Sequence, residues 1–350
     1  MGTSTGLQLR FMHDLTFDFH GIALRLVADS SAVIGAAQFA FKPFRVDCLQ
    51  GDILDLRVET CSSAPRSTLS TAAKLVSDTF RTRSSVNSPW ICSLYREPSG
   101  VRSAYFPDYA LLRVFGREGV LILLRAALSD AHLICSVLRF GVFELIKTRG
   151  LFPIHGAALE KNGVGVLVAG PSSTGKTRSC LALLCNRWHC ISNETAVVRE
   201  REGMAEVLPF DSENDASESV ASNCPDLSGT LYSRPPKRRA KAEVNSADQS
   251  TCTRVCAVLF PQLVDAEESR LEAIPRSRAL IELLPQSVLV FDSDLARSHF
   301  DLLARLIGTS RCYRLHCGGN VHHLPFILKS SLMERPNRTS AVLSTRGLRS

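Results

Sequence analysis

Alternating hydrophobic and polar positions run through the first part of the chain and predict a β-rich unit. The alternation at Phe17 to Ala28 predicts one strand, and that at Asp52 to Thr60 predicts a second. Between Trp90 and Leu124 the pattern predicts several short strands, because turn residues interrupt it. A helix is predicted at Asp130 to Thr148, where apolar residues recur at helical spacing after a candidate N-cap, Ser129.

A different pattern begins at Leu151, where short apolar runs alternate with helical segments. Strands are predicted at Ile154 to Leu159, Val164 to Ala169, Trp188 to Ile191, Val255 to Phe260 and Arg311 to His316, with a hairpin at Val197 to Leu208. Helices are predicted at Thr177 to Leu184, Ser277 to Leu284 and Ser293 to Ile307, and a short one after Pro325. This succession indicates an α/β unit.

The two patterns divide the chain into two predicted domains. The first is a β-rich α+β domain over residues 1–149, for which we expect a role in substrate capture or oligomerisation. The second covers residues 150–335 and contains a polar segment, 211–252, with the basic run Lys237 to Lys241. We expect that segment to be a mobile loop, and residues 336–350 to form a loose tail.

Composition narrows the class of partner. Hydrophobic residues make up 45% of the chain and charged residues 21%, which is ordinary for a soluble globular protein. The most hydrophobic region, Val120 to Ile146, contains charged residues such as Arg125 and Asp130, so it lacks the roughly 20 apolar residues that span a bilayer. The net charge of +7 is modest for this length and falls short of the concentrated basic face that is expected of a nucleic-acid binder. We expect a cytoplasmic chain that binds neither membrane nor nucleic acid.

One segment carries a specific chemical signal. The sequence from Gly170 to Thr177 matches the phosphate-loop pattern G-x4-G-K-[ST], between an apolar strand and a helix. In such a loop backbone N–H groups turn toward a phosphate, Lys176 reaches the β- and γ-phosphates, and the Thr177 hydroxyl holds Mg²⁺. We therefore expect a nucleoside triphosphate site made of Gly170, Pro171, Ser172, Ser173, Thr174, Gly175, Lys176 and Thr177.

The loop and its flanks resemble the catalytic core of HPr kinase/phosphorylase and its relatives. The shared features are His155-Gly156 on the strand before the loop, the run Gly163 to Leu167, and Ile191 to Glu194 at the end of the next strand. The resemblance is sharp over residues 151–200, whereas over 253–330 it is limited to the order of strands and helices. It implies an α/β core similar to that of phosphoenolpyruvate carboxykinase, here preceded by the β-rich α+β domain.

The resemblance also implies an activity. The family's enzymes use ATP and Mg²⁺ to phosphorylate a serine on a protein or peptide. Carried over by position, Lys176 and Thr177 bind phosphates and metal, and His155 lies close to the transferred phosphoryl group. Glu194 takes the place of a family aspartate that serves as metal ligand or general base, with Asn193 as a further candidate metal ligand. Association into a homo-oligomer is a further expectation from the resemblance.

The sequence departs from the family pattern in three ways. Asn193-Glu194 stands where the family has two aspartates, so one carboxylate is replaced by a neutral amide. Ser173 stands where the family usually has glycine, which is freer to adopt left-handed geometry. A later E-x-R-G-x-G signature has no counterpart, so HPr itself is not the expected substrate and the phosphorylase reaction is not assigned.

Three hypotheses follow from these residues. The leading one is an ATP-dependent serine or threonine kinase acting on a peptide or protein. The alternatives are a nucleotide-binding regulatory module without catalysis, motivated by Asn193, and a small-molecule kinase. The single residues have structural alternatives too, because His155 could be a core histidine bonded to backbone and Glu194 an exposed acid at a strand end.

Overall fold

A computed structural model describes residues 13–63, 73–82, 90–107, 109–210, 253–287, 293–321 and 323–333. The segment 211–252, predicted as a mobile loop, and the predicted tail at 336–350 lie outside the described residues. The described part is a mixed α/β protein with two eight-stranded sheets. No helix among the described residues combines the length and the apolar character needed to cross a membrane.

The first sheet contains the strands of the N-terminal part of the chain, in the order β1-β2-β3-β8-β7-β6-β5-β4. Its strands are β1 His13–Phe19, β2 Ile22–Ala28, β3 Leu54–Cys61, β4 Lys74–Thr82, β5 Trp90–Arg96, β6 Arg102–Phe106, β7 Ala110–Phe115 and β8 Glu118–Leu124. Only β3 pairs in parallel, with β2 and with β8. Two helices, α1 Ser31–Ala40 and α2 Ala131–Ile146, contribute their apolar residues to the same core.

Two sequence predictions in this region need correction. The single strand predicted at Phe17 to Ala28 is a hairpin, because His20 and Gly21 take the left-handed conformation, with φ of 58° and 90°, and reverse the chain. The N-cap of α2 is Asp130, whose carboxylate accepts a hydrogen bond from the Leu133 N–H at 2.9 Å, and not Ser129. The helix itself is confirmed, and Gly150, with φ of 79°, follows its last turn.

The second sheet follows the order β10-β9-β12-β13-β14-β16-β15, with β11 also paired to β9. Its strands are β9 Phe152–Lys161, β10 Val164–Ala169, β11 His189–Ser192, β12 Thr195–Arg201, β13 Met204–Leu208, β14 Thr253–Leu263, β15 Arg270–Ala273 and β16 Arg311–Cys317. Its helices are α3 Lys176–Cys185, α4 Arg276–Leu283, α5 Ser293–Thr309 and α6 Leu324–Met333. Strand β14 runs parallel to β10 and to β16, so all three end at one edge.

Each face of this sheet is covered by a separate apolar core. One core joins the sheet to α4 and α5 and contains Ile154 and Leu167. The other joins it to α3 and α6 and contains Leu159 and Val168. The alternation of residues between the two cores along β9 and β10 is the period-two pattern of strands that are buried on both faces.

An aromatic cluster links the two sheets. Phe210, just after β13, stacks on Phe19 with ring centroids 5.7 Å apart and lies 4.6 Å from Phe143 of α2. Val197 of β12 and Leu208 of β13 belong to the same buried core. One face of the β12–β13 hairpin is thus packed against the first sheet and its helices, and β12 in turn pairs with β9, the neighbour of β10.

A buried histidine lies on the α5 side of the second sheet. His299 is 5% exposed and stacks flat on Phe152, with ring centroids 4.6 Å apart. Its Nε2 atom has no hydrogen-bond partner among the described residues. Burial, and secondarily the charge of Lys147, lower the pKa of His299 to about 4. The imidazole is therefore neutral in the folded protein at neutral pH.

Because His299 is buried in its neutral form, we expect the free energy of unfolding of the protein to fall in acid. A histidine whose pKa is lower in the folded state stabilises the fold above its unfolded pKa near 6.5, and this contribution is lost as pH falls toward about 4. At pH 5 we expect a loss of about 2 kcal/mol in the free energy of unfolding relative to pH 7.5, since each pKa unit corresponds to about 1.4 kcal/mol. Urea denaturation of the wild type and of His299→Phe at both pH values measures this loss in the free energy of unfolding.

The comparison of wild type with His299→Phe separates the contribution of His299 from those of the other titrating groups. His20, whose pKa is also lowered by burial, is present in both proteins and contributes equally. In His299→Phe the ring stacking on Phe152 is retained without a titrating nitrogen, so the drop in stability between the two pH values shrinks. An unchanged drop in the variant would contradict the assignment.

Candidate functional site

The segment Gly170 to Gly175 connects β10 to α3 at the edge where the parallel strands end. Gly170 has φ of 154° and Gly175 has φ of 106° at the N-cap of α3. At Gly175 a Cβ atom would lie 3.1 Å from the Sγ of Cys317 and 3.2 Å from a methyl of Leu263, so a side chain there is strained by both backbone and space. The loop therefore passes directly over the ends of β14 and β16.

Ser173 is a loop residue in the left-handed conformation, with φ of 64°. The sequence places serine where the resembling family usually has glycine, and the serine adopts the geometry that glycine adopts most easily. Its side chain is exposed, so the conformation is set by the loop backbone and not by packing of the hydroxyl. Left-handed geometry at a non-glycine residue costs about 1 kcal/mol and is a feature of ligand-binding loops.

Replacing Ser173 by a β-branched residue tests whether the left-handed conformation at this position is needed for nucleotide binding. Valine resists the left-handed region more strongly than serine, so Ser173→Val is expected to weaken nucleotide binding by about tenfold, equivalent to about 1.4 kcal/mol. Ser173→Gly is the matched control and is expected to bind at least as tightly as the wild type. Isothermal titration with ATP compares the three proteins, and equal affinities would show that the left-handed turn is not used in binding.

Lys176 opens α3 and folds its side chain back over the loop. Its Nζ donates to the carbonyl oxygens of Gly170, at 2.6 Å, and Pro171, at 2.9 Å. The Thr174 hydroxyl donates to the same Pro171 carbonyl at 2.9 Å. Thr177 follows on the first turn of the helix and is exposed. The ammonium is thus held at the mouth of the loop, where the backbone N–H groups of the α3 N-terminus also converge.

Strand β9 is the centre of the site. Gly156 pairs with Ala169, the last residue of β10, on one side, and on the other its N–H donates to the Glu194 carbonyl at 3.0 Å. A Cβ atom at position 156 would lie 2.9 Å from the Val168 carbonyl oxygen, so the close approach of β10 requires glycine. The start of the phosphate loop and the Asn193–Glu194 bend therefore flank one glycine, roughly 10 Å apart across two strand spacings.

The bend at Asn193 and Glu194 separates β11 from β12, and both strands pair with β9. The Ser192 hydroxyl donates to the Thr195 carbonyl and closes the bend, and both intervening residues are half-buried. Glu194 follows the end of β11, as the structural alternative expects, but it is half-buried and not exposed. The bend lies beside β9, because the Glu194 carbonyl accepts a hydrogen bond from the Gly156 N–H.

His155 precedes the central glycine and is half-buried. On β9 it is the pairing partner of Thr195, the first residue of β12. Because side chains alternate along a strand, His155 shares a face with Ala157 and Leu159, which belong to the core under α3. The imidazole is therefore on the side of the sheet from which α3 and the phosphate loop project.

Other chain segments complete the edge and were not predicted from the sequence. The Arg178 guanidinium donates to the Gly319 carbonyl, and the Gly319 N–H donates to the Ala266 carbonyl at 2.7 Å. A Cβ atom at Gly318 would lie 2.5 Å from the Glu268 carbonyl oxygen, so this approach also requires glycine. The segment after β16 is thus hydrogen-bonded both to the segment after β14 and to α3. The parallel pairing of distant strands brings them there, and the Gly318-Gly319 pair after a predicted strand is the one local signal that could have indicated it.

The predicted site residues are therefore found along one edge of the second sheet. No cluster of three or more His, Cys, Asp or Glu side chains that could hold a metal occurs within the described ranges. The donor types present are the Thr177 hydroxyl, the Glu194 carboxylate and the Asn193 amide oxygen. Such oxygen ligands, few in number, suit Mg²⁺, which keeps several waters and shares phosphate oxygens of a substrate.

Comparison with known proteins gives two findings. The chain matches the family of the SynChlorMet cassette protein ScmC over residues 129–227, which include the phosphate loop and less than a third of the chain. Among solved structures it is similar to the HPr(Ser) kinase/phosphatase from Coxiella burnetii, at 12% identity, over 51% of this chain and 91% of that chain, with a TM-score of 0.22. No curated protein matches the chain.

Proposed function

We propose that this protein is a cytoplasmic ATP-dependent kinase that phosphorylates a serine or threonine of a peptide or protein. One observation carries the proposal: Gly156 is paired to the end of β10, where the phosphate loop starts, and bonded to Glu194 on its other side. A triphosphate site and a carboxylate on neighbouring strands are the two parts that phosphoryl transfer to a hydroxyl requires. In this proposal residues 150–335 form an HPr-kinase-like core and residues 1–149 serve substrate capture or assembly.

The loop would bind the triphosphate of ATP. The left-handed residues Gly170, Ser173 and Gly175 turn backbone N–H groups inward, and the N-terminus of α3 adds its positive dipole end. Lys176 would exchange the two loop carbonyls for the β- and γ-phosphates, which are stronger acceptors because they are charged. The lysine would thus neutralise the oxygens between which charge moves during transfer.

Glu194 and Thr177 would hold Mg²⁺, with Asn193 as a weaker third ligand. Mg²⁺ would supply charge neutralisation to the bridging phosphate oxygens. Glu194 would also accept or orient the proton of the attacking hydroxyl. His155, on the α3 side of β9, would lie beside the transferred phosphoryl group and donate a hydrogen bond to one of its oxygens.

A nucleotide-binding regulatory module without catalysis is the second candidate, and Asn193 favours it. An amide beside Glu194 gives the site one carboxylate where the resembling family has two, which weakens Mg²⁺ binding. Asn193→Asp is expected to tighten Mg²⁺-dependent ATP binding by about tenfold, because a charged ligand replaces a neutral one. Calorimetric titration with and without Mg²⁺ measures the change. A gain confined to the Mg²⁺ titration locates the metal at this bend, and an equal gain without Mg²⁺ would contradict that location.

Transfer of labelled phosphate decides between these candidates. The purified chain is incubated with γ-labelled ATP and Mg²⁺, together with peptides and proteins encoded beside its gene. Acid-stable label on serine or threonine of such a substrate is the expected result. Label on a metabolite alone would support a small-molecule kinase instead. Tight ATP binding with no transfer to any acceptor and no loss of ATP would leave the regulatory module as the better account.

A further inference from the structure

A cleft of about 370 Å³ lies between the first sheet and helix α5, on elements that the phosphate loop does not use. Four elements form it: the β5–β6 turn at Gly100, the β7–β8 turn at Gly116, the turn after α2 at Arg149, and the first turn of α5 at Leu295. The two glycines have φ of 87° and 55°. Neither glycine carries a side chain that could fill the cleft.

Three arginines line this cleft: Arg102, Arg117 and Arg149. Arg117 and Arg149 both form an ion pair with the same carboxylate, that of Asp52. The two guanidinium groups hold the pKa of Asp52 below its usual range, with the hydrogen bond from Arg117 as the largest cause. One carboxylate cannot saturate two guanidinium forks, each of which carries five N–H donors. The pair therefore keeps donor capacity for another carboxylate.

The charge behind the cleft is also positive. Buried Arg102 lies 3.9 Å from a Glu144 oxygen, and the second oxygen of that glutamate accepts from buried Lys147. In these ion pairs four cationic groups share two carboxylates, those of Asp52 and Glu144. A cleft with low-dielectric walls and an excess of one charge attracts ligands of the opposite sign.

The rim adds an apolar component. Phe115, on the β7–β8 turn, is 58% exposed, and Leu295 is partly exposed on the opposite side. A large exposed aromatic beside arginines is the composition of a protein-binding surface, where the aromatic ring and the guanidinium contribute most of the binding energy. A bare inorganic anion would use the arginines and leave Phe115 and Leu295 without a role.

We propose that this cleft binds an acidic peptide segment. A ligand carboxylate bridges Arg117 and Arg149, where it shares or displaces Asp52, while a neighbouring apolar side chain of the peptide packs between Phe115 and Leu295. Charge-assisted hydrogen bonds to the two guanidinium groups set the position of the peptide along the cleft. The contact with the Phe115 ring lets the cleft distinguish a peptide from a simple anion. This docking surface is distinct from the phosphate loop, and peptide binding here does not depend on phosphoryl transfer.

The test uses the full-length protein and a fluorescein-labelled peptide with the sequence Gly-Glu-Glu-Phe-Glu-Glu-Leu-Gly, followed by fluorescence anisotropy. A matched peptide with glutamine for every glutamate is expected to bind about tenfold or more weakly. The double variant Arg117→Gln, Arg149→Gln is expected to lose affinity for the glutamate peptide to a similar degree. Arg57→Gln is the control, because Arg57 is an exposed arginine of the same sheet with a carboxylate partner, Glu59.

Two further variants separate recognition from damage to the fold. Asp52→Asn removes the competing carboxylate and is expected to tighten binding of the glutamate peptide by about threefold, a gain that misfolding does not produce. Phe115→Ser alters an exposed side chain and is expected to weaken binding severalfold. Equal binding of both peptides, equal binding by the arginine double variant, or displacement by inorganic phosphate as effectively as by unlabelled peptide would overturn the proposal.

Discussion

Lys176→Ala is expected to lose ATP binding by about 100-fold or more, because charge-assisted hydrogen bonds to phosphate contribute about 3 kcal/mol. In the structure the Lys176 ammonium lies at 2.6 Å and 2.9 Å from two loop carbonyls, at the mouth of the phosphate loop. Alanine leaves those carbonyls to water, so the variant should fold normally. Calorimetric titration with ATP and Mg²⁺ measures the loss.

Lys161 provides the matched control for this experiment. Its Nζ donates to the Asn186 carbonyl at 2.6 Å, at the C-terminal end of α3, whereas Lys176 donates at the N-terminal end. Lys161→Ala therefore removes the same charge and the same kind of backbone contact from the same helix. We expect it to bind ATP as the wild type does. Equal weakening in the two variants would mean that net charge, and not the phosphate loop, sets the affinity.

Glu194→Gln is expected to lower phosphoryl transfer by about 100-fold to 10,000-fold, the range typical for loss of a general base. The substitution keeps the size of the side chain and the backbone bond from the Gly156 N–H to the residue 194 carbonyl, so the bend should persist. ATP binding without Mg²⁺ should stay unchanged, since no phosphate contact is removed. Single-turnover transfer from labelled ATP, with binding measured in parallel, tests both parts.

Glu200→Gln is the control for this second variant. Glu200 lies on β12, the strand that follows the bend, is 48% exposed, and pairs with Arg305 on the surface. Its loss should change transfer little, because an exposed ion pair contributes roughly 0–1 kcal/mol to stability. If Glu194→Gln retains wild-type transfer, Glu194 is neither the base nor a metal ligand, and the roles proposed for it are wrong.

The sequence predicts the local parts of this site well, for a physical reason. The phosphate loop, the strand before it and the helix after it are contiguous, so the motif and the periodicity report on the same segment. The hairpin predicted at Val197 to Leu208 is likewise confirmed, and its turn residues Glu202 and Gly203 take left-handed φ values of 53° and 78°. Serine at position 173, where the resembling family usually has glycine, left open whether the loop adopts left-handed geometry there. The structure shows that it does, with φ of 64°.

Features that depend on distant pairing escaped prediction. The hairpin at His20-Gly21 has no Asn-Gly or Asp-Gly signal and lies inside one apolar run, so periodicity alone joined its strands. Helix α1 was not predicted, although Val33, Ala36, Ala37 and Ala40 are buried at helical spacing. The contact of Gly175 with Cys317 and Leu263 arises from the parallel pairing of β10, β14 and β16, which no local pattern encodes.

A crystal structure of the protein with a non-hydrolysable ATP analogue and Mg²⁺ tests the central claim most directly. We predict that the triphosphate occupies the loop from Gly170 to Thr177 and that Lys176 Nζ has moved from the loop carbonyls to the phosphates. We also predict that the γ-phosphate lies on the side of Glu194 and His155. An analogue bound elsewhere, with Lys176 still bonded to Gly170 and Pro171, would contradict the account.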